Sequence, residues 1–180
     1  MAKDFDPHRL DIRRFAEEGA QLEASAGVPG FARLRAETPD PDHAQPVHWH
    51  AQGEIVNPNH VQPQVWLHLQ ADTQLPLVCQ RCLLPVDVPV AVDRSFRFVD
   101  DEATAAAQDD EAEEDLLVLS RSFDLLELVE DELLMELPVA PRHEVCPEPV
   151  KMSAADAAFD AAAPQKEHPF AVLGRLKTGK

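Results

Sequence analysis

Apolar residues recur at helical spacing in one stretch of this chain and at alternate positions through much of the rest. Between Asp124 and Leu137, residues Leu125, Leu126, Val129, Leu133 and Leu137 share one face at about 100° per residue, with Asp124, Glu127 and Asp131 opposite. Asp124 is a good N-cap with Glu127 three residues on, and Pro138 stops the pattern. The spacing predicts a helix over 124–137. Glu132 and Glu136 lie on or beside its apolar arc. Either they sit at the rim and reach water, or they face a partner or hold an arginine.

Before this helix the period shortens to two. Val47, Trp49 and Ala51 alternate with His48, His50 and Gln52, and Val65, Leu67 and Leu69 alternate with Trp66, His68 and Gln70. Leu75, Leu77 and Cys79 continue that alternation, and Val86, Val88, Val90, Val92, Phe96 and Phe98 extend it, with Leu116–Leu119 as a further strand. Pro76, Pro85 and Pro89 belong on strand edges or at bulges, because proline cannot donate to a ladder. Consecutive strands predict antiparallel pairing. Residues 5–24 are expected to form one helix, capped by Asp6 with Pro7 in its first turn and broken by Gly27, Pro29 and Gly30. Phe31–Ala36 is a second turn or a first strand, and Thr38–Pro46 is a loop. Asp100–Asp115 is read as an acidic loop, with a short exposed helix as the alternative. The fold class is therefore α+β: an antiparallel, partly curled sheet packed against one central amphipathic helix, plus an N-terminal helix. The expected divisions are 1–46 (helix and linker), 47–143 (core) and 144–180 (flexible linker with a short amphipathic tail).

Charge narrows the partners. The formal net charge is −17, the wrong sign for a protein held on RNA mainly by phosphate contacts. Its distribution is uneven, with fifteen acids against Arg121 alone from Asp100 to Glu136, and bases gathered in 9–35 and 166–180. This suits a basic protein partner, or local contact of the ends with RNA. No apolar run approaches the length of a membrane span, and the N-terminus lacks a signal-peptide core. A cytoplasmic protein is expected, with no membrane or small-molecule partner. Three cysteines fit a reducing compartment.

The most chemical local motif is Cys79-Gln80-Arg81-Cys82. Thiols at this spacing can chelate one metal ion or form a redox pair. His143 and Cys146 offer a second half-site after the helix, completing a Cys₃His set suited to zinc. The alternative is two small buried thiols and an exposed histidine. Arg81, the single base between Arg35 and Arg94, contacts a phosphate or carboxylate at a turn, or pairs with the acidic helix. His48 and His50 share a strand face opposite Trp49, read as solvated. Trp66 packs on a neighbour or stacks on a base. No phosphate loop, nucleophile elbow, dinucleotide fingerprint or H-E-x-x-H occurs, so no enzyme is indicated.

Three segments carry a resemblance: VCQRCLLPV (Val78–Val86), DLLELVEDELLMELPVAPRH (Asp124–His143) and HPFAVLGRLK (His168–Lys177). In this order and spacing they resemble the bacterial YceD family, the large ribosomal RNA subunit accumulation proteins. The resemblance implies a non-catalytic ribosome-biogenesis factor that promotes synthesis, processing or stability of 23S ribosomal RNA. Its partner would be 23S RNA or its precursor, reached directly or through a basic ribosomal or processing protein. The candidate RNA- or partner-binding residues are Arg81, Glu130, Asp131, Glu132, Arg175 and Lys177, and the candidate zinc ligands are Cys79, Cys82, His143 and Cys146. A rival reading is a zinc-stabilised adaptor that binds proteins through the acidic helix without touching RNA.

Overall fold

The computed structural model describes residues 5–61 and 63–149. Five strands form one open sheet in the order β1-β2-β3-β4-β5: β1 (Gln21–Ala26), β2 (Val47–Val56), β3 (Gln64–Val78), β4 (Pro85–Val99) and β5 (Asp115–Val118). The first four pair antiparallel, and β5 runs parallel to β4. The helices are α1 (Ile12–Glu17), α2 (Ala32–Glu37), α3 (Glu102–Gln108) and α4 (Leu125–Met135). The chain is thus α+β, as the two periods implied.

Alternation sets the two sheet faces. Val47, Trp49, Ala51, Val65, Leu67, Leu69, Leu75, Val90, Val92, Phe96 and Phe98 point into one core. Phe15 and Ile12 of α1, Leu34 of α2, and Leu125, Val129 and Leu133 of α4 join them. The opposite face carries His48, His50, Gln70, Asp72 and Asp93, exposed or half-buried. The prolines sit as the ladder requires. β2 pairs β3 only as far as Asp72, and β5 pairs β4 only from Phe96 to Val99. Pro76, Pro85 and Pro89 therefore lie where their strands have one neighbour.

Four expectations change. Residues 5–24 are not one helix. Asp11, not Asp6, caps α1 by accepting from Arg14 N–H, and Gly19 at φ 56° ends it. The chain then turns into β1, whose six residues, small or polar apart from Leu22, pair with β2. The N-terminal stretch is thereby the edge of the sheet itself. Phe31 caps a true helix, α2, instead of starting a strand. Asp100–Asp115 holds α3, where Asp101 accepts from Thr104 N–H, so the short exposed helix is the form it takes. That crossover is why β5 enters parallel. The linker and tail expected beyond residue 149 lie outside the described residues.

Candidate metal centre

The β3–β4 hairpin closes on the Cys79–Leu84 turn. Cys79 N–H donates to Leu84 O at 2.9 Å, and Leu83 N–H donates to Cys79 O at 2.8 Å. Leu83 takes φ 63° to complete the turn, a left-handed conformation uncommon for a bulky residue. After α4 ends, Pro138–Cys146 returns alongside this turn. Gln80 N–H donates to Pro141 O at 2.8 Å. Arg81 then fastens the segment, its Nη2 donating to His143 O at 2.8 Å and Glu144 O at 3.2 Å, and its Nε to Cys146 Sγ at 3.1 Å. Arg81 does not pair with the acidic helix; it holds the second half-site against the first.

The consequence is a converged donor set. Cys79 Sγ, Cys82 Sγ, a His143 ring nitrogen and Cys146 Sγ lie within 4.8 Å of one another. Cys82 Sγ is 3.4 Å from His143 Nδ1. A zinc ion with Zn–S bonds of about 2.3 Å needs thiolates about 3.8 Å apart in a tetrahedron, so a small contraction would bring these four donors to bonding distance. Cys79 is fully buried and the other three are half-buried. Burial pushes the Cys79 thiol up, but N–H groups of Cys82, His143 and Arg81 aimed at its sulfur outweigh this and bring it down to about 5. A thiolate held by backbone N–H groups is a prepared metal ligand. Burial is also the largest influence on Cys82 and pushes its thiol up, as does the neighbouring Cys79. All three cysteines are free, and the chemistry of the set fits a closed structural zinc site.

Of the three acids named as candidate contacts, Glu130 and Glu132 are buried while Asp131 is half-buried. Glu130 is 8% exposed and accepts from Arg33 N–H at 2.7 Å and Leu34 N–H at 3.0 Å, capping α2. Asp131 pairs with the Arg33 guanidinium. Glu132 is 3% exposed, with its Oε2 3.1 Å from Arg94 Nε but without a hydrogen bond to it. Arg94 also holds Glu136 at 3.1 Å. Holding an arginine is thus what Glu132 and Glu136 do. Nothing in a single sequence paired Arg33 with 130–131 or Arg94 with 132, since the partners lie far apart in the chain.

Among the described residues His143 is the one histidine that gathers with the thiols. His68 bonds Ser95 Oγ at 2.8 Å and Glu54 Oε2 at 2.9 Å, and Trp66 stacks on it at 6.4 Å and 13°. Trp66 is packed on a neighbour. Arg175 and Lys177 lie outside the described residues.

The family described as large ribosomal RNA subunit accumulation protein YceD matches residues 67–177, more than half of the chain. The chain belongs to the YceD family. The match to YceD begins within β3 and takes in the thiol turn, α4 and all four donors, leaving α1, β1, α2 and β2 outside it. No solved structure matches the chain. Among the described residues no helix is long and apolar enough to cross a membrane.

Proposed function

We propose that this YceD protein is a non-catalytic, cytoplasmic ribosome-biogenesis factor that promotes synthesis, processing or stability of 23S ribosomal RNA. It acts on that RNA or its precursor, directly or through a basic ribosomal or processing protein. Cys79, Cys82, His143 and Cys146 hold a zinc ion that locks the segment after α4 onto the β3–β4 turn. The observation carrying this reading is the convergence of two half-sites, 61 residues apart at Cys82 and His143, inside the stretch that the family match covers. Zinc would supply a rigid crosslink without redox chemistry. The adaptor that grips proteins through α4 loses its main support, because Glu130 and Glu132 are spent on internal contacts.

The test is depletion of the protein in its own cells, with 23S and 16S ribosomal RNA measured side by side. Selective loss of 23S, restored by the wild-type gene, is the expected result. An unchanged ratio would overturn the reading.

A further inference from the structure

On a molecule with this much negative charge, RNA can approach only where the acids stand back. The turn at Cys79–Leu84 with its returning segment is such a place. Arg81 is the single base between Arg35 and Arg94, and Arg142 the single base between Arg121 and Lys151. The fold sets these two isolated arginines on one knuckle, through Gln80 N–H to Pro141 O and Arg81 to His143 O. Among the described residues neither has a carboxylate partner. Arg81 faces the thiols, so its charge offsets theirs, while Arg142 is exposed. Glu144 is the one acid in 137–147, and Arg81 bonds its backbone carbonyl.

The same knuckle exposes apolar side chains that the core does not use. Leu83 is 73% exposed and Val145 85%. Leu83 does so from a left-handed backbone that favours glycine. Each directly follows or precedes a half-buried cysteine of the donor set, so the two flank it. Two aliphatic side chains and two guanidinium groups make too small a patch for a stable protein interface, which needs about 800 Å² per partner. They suit one or two unpaired bases, which pack on apolar side chains and guanidinium planes while arginine meets the phosphate.

We infer that the knuckle formed by residues 79–84 and 142–146 binds single-stranded RNA, with Leu83 and Val145 against a base and Arg142 at the phosphate. This rests on the ribosomal RNA reading above and gives it a contact surface. Arg81 is a positioning residue, because it holds the second half-site in place.

The probe is a short fluorescent single-stranded RNA of mixed sequence, with the same strand in duplex as comparison, titrated at low salt into the zinc-loaded full chain. Leu83→Asp and Arg142→Glu change exposed side chains and leave the four donors intact. Unchanged metal content and melting temperature establish that each variant is folded. Each is expected to weaken single-strand binding about tenfold, the scale of one lost stacked base, and duplex is expected to bind less well than single strand. Binding that falls instead in Arg9→Glu, Arg121→Glu and not in the knuckle variants would overturn the inference. So would absence of single-strand binding by the wild type. If the knuckle variants fail to restore 23S RNA in depleted cells yet bind RNA normally, the surface serves a protein and the inference falls. In each of these cases selective 23S loss on depletion would leave the wider function standing.

Discussion

Glu130 on α4 and Arg33 on α2 are joined twice: the carboxylate accepts from the Arg33 backbone N–H at 2.7 Å and from its guanidinium Nε at 3.2 Å. One acid therefore both caps a helix and ties it to its neighbour. The Leu34 N–H, on the same carboxylate at 3.0 Å, is buried with it. Without this acceptor the first turn of α2 would keep unsatisfied donors against the core.

Glu130→Ala should accordingly destabilise the fold by about 2–3 kcal/mol, the cost of leaving buried donors unpaired. Glu130→Gln keeps one acceptor oxygen and should cost about half as much. Denaturant titration checks this through the midpoint, with the slope unchanged. A midpoint that does not move in Glu130→Ala would mean that the cap contributes nothing.

Glu132 gives a pH signature of the opposite kind to most acids. Burial, the largest influence, raises its carboxyl; Arg94 lowers it, while Asp115, Asp131 and Glu136 raise it further. The folded chain thus binds this proton more tightly than the unfolded chain. Its contribution to stability is full below the ordinary glutamate range and declines as pH rises through that range and above it. Stability measured against pH in wild type and Glu132→Gln should show the decline in wild type alone. Arg94 retains Glu136 and Asp115 in the variant, so the ion cluster survives. A wild-type profile that rises relative to the variant across this window would refute the assignment.

How much could be read from the sequence follows the strength of its periods. α4 was legible because five apolar residues and an Asp124 cap agree, and Asp124 does accept from Leu126 and Glu127 N–H at 3.0 and 3.1 Å. β2 and β3 were legible because Trp49, Leu67 and Leu69 alternate with polar residues through a half-buried sheet. β1 was not, since Gln21-Leu22-Glu23-Ala24-Ser25-Ala26 has no β-branched or aromatic residue, and its pairing comes wholly from β2. Leu10, Phe15 and Leu22 read as the apolar residues of one helix over 5–24 and so merge two elements, although Asp11 and Gly19 carry the true cap and stop. The Cys₃His set was legible from residue type. Arg81's part in it was not, because two of its three acceptors are backbone carbonyls that any residue would offer.

Gly53 should tolerate no side chain. A Cβ there would lie 2.7 Å from Phe15 Cδ1 and 2.8 Å from Ala16 Cα and N. α1 is also pinned at this point, with Gly53 N–H donating to Ala20 O at 3.0 Å. Two of the three clashing atoms are backbone, so α1 itself must shift. Gly53→Ala is expected to cost about 1–3 kcal/mol by overpacking. A thermal melt reads this directly, and an unchanged melting temperature would show that α1 can lift away without loss.

The metal centre yields the prediction that bears most on the knuckle. Protein purified without chelator should carry close to one zinc per chain, and Cys79→Ser, Cys82→Ser should carry none. The core built on Phe15, Leu69 and Phe96 does not include the donors apart from Cys79 at its rim, so chelation should leave far-ultraviolet circular dichroism nearly unchanged. The effect should be local. Residues 139–146 form no helix or strand, and Gln80, Arg81 and the donor set are what fasten them. With zinc removed, alkylation of Cys146 and cleavage after Arg142 by trypsin should both accelerate, while β3 and β4 stay protected from hydrogen exchange. Arg81→Ala should weaken zinc binding by about 10–100-fold, as losses of groups that orient metal ligands do. Of the four donor atoms its side chain meets only Cys146 Sγ, and it holds His143 by the backbone carbonyl, so a full-strength site in that variant would show that the two halves converge without their arginine clasp. Freshly purified wild type free of zinc would remove the metal altogether and leave Arg81 and the Gln80–Pro141 bond as the means of closure.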